Sequence, residues 1–192
     1  MSQRGLNLLE LLIALAIAAI VLHLALPSFT RMIATHRQQV AGNELLSALR
    51  SARTLAILRH QAVIIEPLEG QWGKGWRVVA DASGQGLQDP DNPLLLVRQH
   101  SGDTRIVGNT RLAQWVRFTA LGAPSYAGSS PGNGTLFVCD TGTGRTHSRV
   151  VLGVSGRVRL EAGPGSAEPC ASAEGLDAQF LGHGKSDVFR PA

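Results

Sequence analysis

The sequence predicts an α+β chain: a long N-terminal helix, its first half membrane-spanning, packed on a C-terminal antiparallel β head. Three observations carry this. From Leu6 to Leu26 the chain is apolar apart from Asn7, Glu10 and His23. An apolar spacing of three and four residues then continues toward His60, as on one face of a helix. Beyond it, short β-branched or alternating runs are separated by Gly-, Pro- and Asp-rich turns, the pattern of strands.

The first element can be weighed by length. Leu6 to Leu26, at about 1.5 Å per residue, makes a helix of roughly 31 Å, enough for a hydrocarbon core of about 30 Å. Arg4 favours keeping the short end in the cytoplasm, with the bulk of the chain outside the inner membrane. The difficulty is Glu10, because an acid at the start of such a helix needs a cation. A secretory signal peptide has a shorter apolar region and a small-x-small cleavage site, and Leu24-Ala25-Leu26-Pro27-Ser28 is a poor one. A plain signal anchor explains the length and Arg4 but leaves Glu10 unpartnered. A cut after Gly5 makes Leu6 the new N-terminus and Glu10 its fifth residue. A neighbouring subunit's free amine then supplies the cation in a packed helical assembly. Pro27 removes one backbone donor and is expected to bend the helix rather than end it.

After Pro27 the helix resumes, with Leu45, Leu46, Leu49, Ala52 and Ala56 forming an apolar stripe for the head. Strands are then expected at 62–65, 75–80, 94–97, 115–118, 135–139, 150–154 and 156–160, with long loops at 81–93 and 123–134. The runs at 135–139 and 150–154 are expected to pair across a Gly/Thr/Arg turn. After Glu161 the chain is rich in Gly, Ala and Ser. No repeat and no second globular domain is evident.

Gly5-Leu6-Asn7-Leu8-Leu9-Glu10-Leu11 resembles the class III signal of type IV pilins and type II secretion pseudopilins. That signal is a Gly, a cut, a hydrophobic residue and a Glu at mature position five; Pro27 falls where pilins commonly carry a helix-kinking proline. Leu6 departs from the usual Phe, and Asn7-Leu8-Leu9 from Thr-Leu-Ile. With Leu49 to Ala56, Gly75-Trp76-Arg77-Val78-Val79, Val116-Arg117-Phe118 and Val150 to Arg159 following in order, the chain resembles the GspH/FimT family of minor pilins and minor pseudopilins over nearly its full length. The resemblance implies a type IV pilin-like fold, divided into a prepilin leader at 1–5, a helix at 6–60 with 6–26 transmembrane, and a periplasmic head at 61–192. It implies processing at Gly5 and Leu6 by a prepilin peptidase, methylation of the Leu6 amine, and assembly with other pilins or pseudopilins through Glu10 and Pro27. The expected role is a minor pilin of the type IV pilus, acting in filament initiation or at the tip. The alternative is a minor pseudopilin of a type II secretion system. The Gly-rich ending after Leu160 departs from the family pattern.

At 192 residues and a formal charge of +4, the chain has room for one ordinary head domain and is mildly basic. That balance is compatible with nucleic acid but does not require it. Cys139 and Cys170 both lie in the part expected to be exported, where an oxidising compartment should pair them. Free thiols are the alternative; a metal site is disfavoured, since no Cys-x-x-Cys is present and the histidines are scattered. No cofactor is expected. Asp140-Thr141-Gly142 matches an aspartic-protease tripeptide, but that chemistry needs two carboxylates and no second copy exists, so a hairpin turn is the better reading. With no Gly-x-Ser-x-Gly elbow, no enzyme is expected. His23 reads as a neutral histidine tolerated near an interface, and Trp72 and Trp76 as packing residues.

Gly156-Arg157-Val158-Arg159 places two arginines on one side of a strand, with Arg145, His147 and Arg149 upstream. These arginines are candidate DNA-binding residues, able to neutralise phosphates on double-stranded DNA without reading sequence. The element resembles the DNA-binding tail of FimT-type minor pilins, although solvated arginines explain the same pattern. No aromatic is interleaved to stack bases.

Overall fold

The computed structural model describes residues 8–100, 104–109, 112–125, 132–140, 142–163 and 169–170. The expected cleavage site, Gly5 and Leu6, lies outside them, as does most of the Gly-rich tail. The chain divides into two compact units at His36.

The single long helix, α1 (Leu8–Leu58), continues through Pro27. In the first unit no described side chain is buried. In the second unit α1 is amphipathic. Ala41, Leu45, Ala48, Leu49, Ala52 and Ala56 recur every three or four residues and are buried, so one stripe faces the core. The helix stops on a left-handed residue, His60 (φ 51°). The Gln61 amide reaches back to the Ala56 carbonyl at 3.2 Å and the His60 amide to Ile57 at 3.2 Å. This pair of reversed bonds satisfies carbonyls that the end of the helix would leave bare.

Two antiparallel sheets follow. The first comprises β1 (Ala62–Pro67), β2 (Gly75–Asp81), β3 (Leu94–Gln99), β5 (Val116–Phe118) and β6 (Pro124–Ser125), in the order β3-β2-β1-β5-β6. The second comprises β4 (Arg105–Gly108), β7 (Gly134–Cys139), β8 (Thr146–Leu152) and β9 (Val158–Ala162), in the order β4-β7-β8-β9. Opposition of Val63 to Phe118 and of Leu136 to Val150 aligns the inward-facing residues of each sheet. The α1 stripe, Val63, Ile65, Val78 and Phe118 from the first sheet, and Leu136, Val138, Val150, Leu152 and Val158 from the second form one core. Trp72 and Trp76 are 2% and 1% exposed and belong to it. The Trp72 indole N–H donates to the Leu112 carbonyl at 3.0 Å, so its polar edge is not left unpaired.

Three elements differ from expectation. The strand β4 is not among the expected strands, β6 lies inside the loop expected at 123–134, and β8 begins at Thr146 rather than Val150. In β8 the buried positions alternate, but Thr146 and Ser148 fill two of them. Small hydroxyl side chains hide the strand from a search for apolar alternation.

Candidate functional site

Three features hold the residues singled out by the sequence: the apolar start of α1, the disulfide end of the head, and the arginines of β8 and β9.

Glu10 lies in the first turn of α1 and is exposed. Among the described residues it forms no ion pair. Around it Leu8, Leu9, Leu11, Leu12 and Ile13 are all more than half exposed. The most apolar window of α1 reaches a mean hydropathy of 2.6, and none of it is buried. Burial of each such side chain is worth about 1.5–3 kcal/mol, so this surface calls for lipid or neighbouring helices. His23 is exposed on the same stretch.

At the far end of β7, Cys139 and Cys170 are joined, with a Cα–Cα distance of 5.6 Å. Both are 1% exposed. The bond fastens the segment at 169–170 to the β7–β8 hairpin, where the Thr146 hydroxyl lies 3.5 Å from Cys170 Sγ. Asp140 heads that hairpin. Its Oδ1 accepts the Gly142 amide at 2.8 Å and its carbonyl accepts the Gly144 amide at 2.8 Å. The Gly142 amide holds the Asp140 carboxyl below the usual aspartate range. Asp140 is therefore a turn residue.

The candidate arginines are spread along β8, β9 and the turns that precede them. Arg149 lies opposite Glu161, and Arg159 lies two residues before Glu161 on β9. Arg149 Nε donates to Glu161 Oε2 and Arg159 Nε to Glu161 Oε1, each at 2.6 Å. One carboxylate thus occupies two of the four candidate arginines. Its pKa is lowered by Arg159 first and Arg149 next. Arg145 sits in the β7–β8 hairpin, whereas Arg157 sits in the turn between β8 and β9. The length of β8 separates them, roughly 20 Å at about 3.3 Å per residue.

Sequence reasoning missed the residues beside Arg157. From α1, Arg50 Nη2 donates to the Val158 carbonyl at 3.0 Å. Arg53 Nε donates to the Gly122 carbonyl at 2.9 Å, and its Nη2 to Ser155 at 3.4 Å. These arginines fell on the polar side of the helical stripe, and only the three-dimensional return of two turns gives them partners. Among the described residues no three of His, Cys, Asp and Glu gather as a metal site.

The family described as Type II transport protein GspH matches residues 41–156, more than half of the chain. The chain belongs to the GspH family. Two crystal forms of the type IV minor pilin FimU of Pseudomonas aeruginosa share its fold. One matches with a TM-score of 0.55 at 22% identity, covering 70% of this chain and 96% of FimU. The other gives 0.53 at 24% identity, covering 69% and 98%. No curated protein matches the chain. The matched segment of this GspH-family chain contains the α1 stripe, both turns gripped by Arg53, and Gly156 at its edge. The fold is thus pilin-like, and the family is one of minor pilins and pseudopilins.

Proposed function

We propose that this GspH-family chain is a minor pilin of the type IV pilus. A prepilin peptidase cuts after Gly5, and the amine of Leu6 is methylated. The helix waits in the inner membrane with the head in the periplasm, then leaves lipid to pack among other pilin helices. The carrying observation is an apolar helix face, wholly unburied within its own chain, with one acid, Glu10, in its first turn. In a bundle, Glu10 meets the N-terminal ammonium of a neighbour. Such a pair adds little net stability but sets register, because an unpaired charge there is strongly disfavoured. The protein acts by assembly rather than by catalysis.

N-terminal sequencing of membrane-extracted chain from cells with an active peptidase tests the processing step: the product should begin at Leu6. Glu10→Ala should remove the chain from sheared filaments while leaving its membrane level unchanged. A different N-terminus, or full incorporation of the variant, overturns the reading.

The family description itself favours a second reading, a minor pseudopilin of a type II secretion system. Processing and packing are the same, and only the partner machine differs. Deletion separates the two: loss of pili supports the first, and loss of protein secretion with pili intact supports the second.

A third reading makes the arginines of β8 and β9 a DNA-binding surface for uptake. The Glu161 clamp weakens it, since Arg149 and Arg159 are already engaged. In a mobility-shift titration with duplex DNA, Glu161→Gln should tighten binding and Arg157→Ala with Arg159→Ala should abolish it. No shift by the wild type near physiological salt removes this function.

A further inference from the structure

Two turns, one from each sheet, meet beside α1. Thr119 to Ala123 joins β5 to β6, and Gly153 to Arg157 joins β8 to β9. They are built alike. In the first, the Gly122 amide donates to Thr119 and the Thr119 amide to Ala123, each at 2.8 Å. In the second, the Gly156 amide donates to Gly153 at 2.9 Å and the Gly153 amide to Arg157 at 3.0 Å. Each has a glycine in the left-handed region, Gly122 at φ 76° and Gly156 at φ 77°, as this three-residue hairpin requires. They touch: a Cβ on Gly156 would lie 2.1 Å from the Gly122 carbonyl oxygen. Arg53 reaches both, through Gly122 and Ser155.

The tips of these joined turns carry apolar side chains. Leu121 is 88% exposed and Val154 58%. Ile57 of α1, 39% exposed, lies against Gly122. Beside them are three cations, Arg50, Arg53 and Arg157. Among the described residues none of the three has a carboxylate partner. A clustered apolar surface with a basic rim marks an interaction site.

We propose that the paired turns are a docking surface for the head of a different filament subunit, one presenting apolar side chains edged by carboxylates. This rests on the assembly reading above. Among the described residues the rim has no acid paired with these arginines, and in the proposed contact the partner supplies the acids. A two-fold contact with a second copy would set like charges against each other. Duplex DNA would satisfy the arginines but offer its backbone phosphates nothing to bury against Leu121 and Val154.

The test uses the full-length chain in filament-producing cells, with a photo-crosslinking residue in place of Leu121 and, as control, of Leu87. The expected result is an adduct from position 121 alone, to an acidic peptide of another pilin-type subunit. Leu121→Ser with Val154→Ser, both at exposed tips, should lower retention in sheared filaments about tenfold, as loss of an interface centre does. Arg157→Glu should do the same, and reversing a carboxylate in the cross-linked peptide to Lys should restore it. An adduct to the chain's own copy, to DNA or to lipid, or no adduct from a chain that carries the crosslinker at position 121 and does enter filaments, overturns the surface alone. A chain absent from filaments that still gives the expected adduct supports the surface and sinks the assembly reading.

Discussion

Gly156→Ala offers a measurement of how tightly the two turns are joined, provided Gly144→Ala is measured beside it. Both glycines are left-handed, at φ 77° and φ 62°, so alanine at either costs roughly 1–2 kcal/mol in backbone strain. There the likeness ends. A Cβ at Gly144 meets nothing within 4 Å, whereas one at Gly156 lies 2.1 Å from the Gly122 oxygen and 2.7 Å from Arg53 Nε. A Cβ contact needs about 3.4 Å to be ordinary, so the turns must part by about an ångström. Parting them weakens the Arg53 bonds to Gly122 and Ser155. Hydrogen bonds to a charged group contribute about 1.5–3 kcal/mol each; partial exposure and the 3.4 Å length of the second reduce the joint loss to about 2–3 kcal/mol. The expected totals are about 1–2 kcal/mol for Gly144→Ala and about 3–5 kcal/mol for Gly156→Ala. At about 2–4 °C per kcal/mol for a domain of this size, the melting point of the head, residues 37–192, should fall at least twice as far for Gly156→Ala. Urea unfolding should show the same order. Equal losses at the two sites would refute the tight junction and Arg53 as its clasp.

Other perturbations test separate parts of the molecule. Replacing Cys139 and Cys170 by Ala removes a link across a sequence separation of 31, for which the chain-entropy relation gives about 3–4 kcal/mol; an unchanged urea midpoint would show that the bond does not constrain the unfolded chain. Asp81, with no side-chain exposure, pairs with Arg117 at 2.7 Å, so Asp81→Ala should cost about 3–5 kcal/mol, read by the same unfolding curve. Arg159, then Arg149, holds Glu161 below the ordinary glutamate range. The stabilisation is therefore complete above the unfolded value of about 4.3 and is lost as pH falls through the lower folded midpoint. Carboxyl NMR should show that low midpoint, and Arg159→Ala should raise it; an unmoved midpoint would rule out the clamp in solution.

Much of this architecture was legible because it is periodic. The recurrence of Leu45, Leu49, Ala52 and Ala56 marked the buried stripe of α1, and β-branched runs marked β1, β2 and β7. What escaped the sequence depends on partners distant along the chain. The strand β4 has only Ile106 fully turned inward and is defined by its pairing with β7. The start of β8 escaped because Thr146 and Ser148 stand where an apolar residue is expected. Alternation suggested a common side for Arg157 and Arg159, but it could not report that Arg157 falls in the turn before β9 or that the β8–β9 register sets Arg149 opposite Glu161. Nor could helical spacing show that Arg53 clasps a turn 69 residues away or that Arg50 reaches the start of β9, 108 residues away.

The two units answer the same physical demand in opposite ways. From Gln38 onward, α1 finds its apolar partners inside its own chain: ordered sheets, a shared core and a disulfide complete that surface. From Leu8 to Ile33 the helix is also rich in large apolar residues, and none of its described side chains is buried. A side chain of that kind gains about 1.5–3 kcal/mol on leaving water, so a run of them makes the isolated, water-exposed helix the least stable of its options. Lipid satisfies the leucines but not Glu10, because an acid near the start of a membrane helix still needs a cation. A bundle of like helices satisfies both at once. On the proposed assembly reading the choice between lipid and filament turns on one carboxylate, and substituting Glu10 should alter assembly while leaving membrane retention intact.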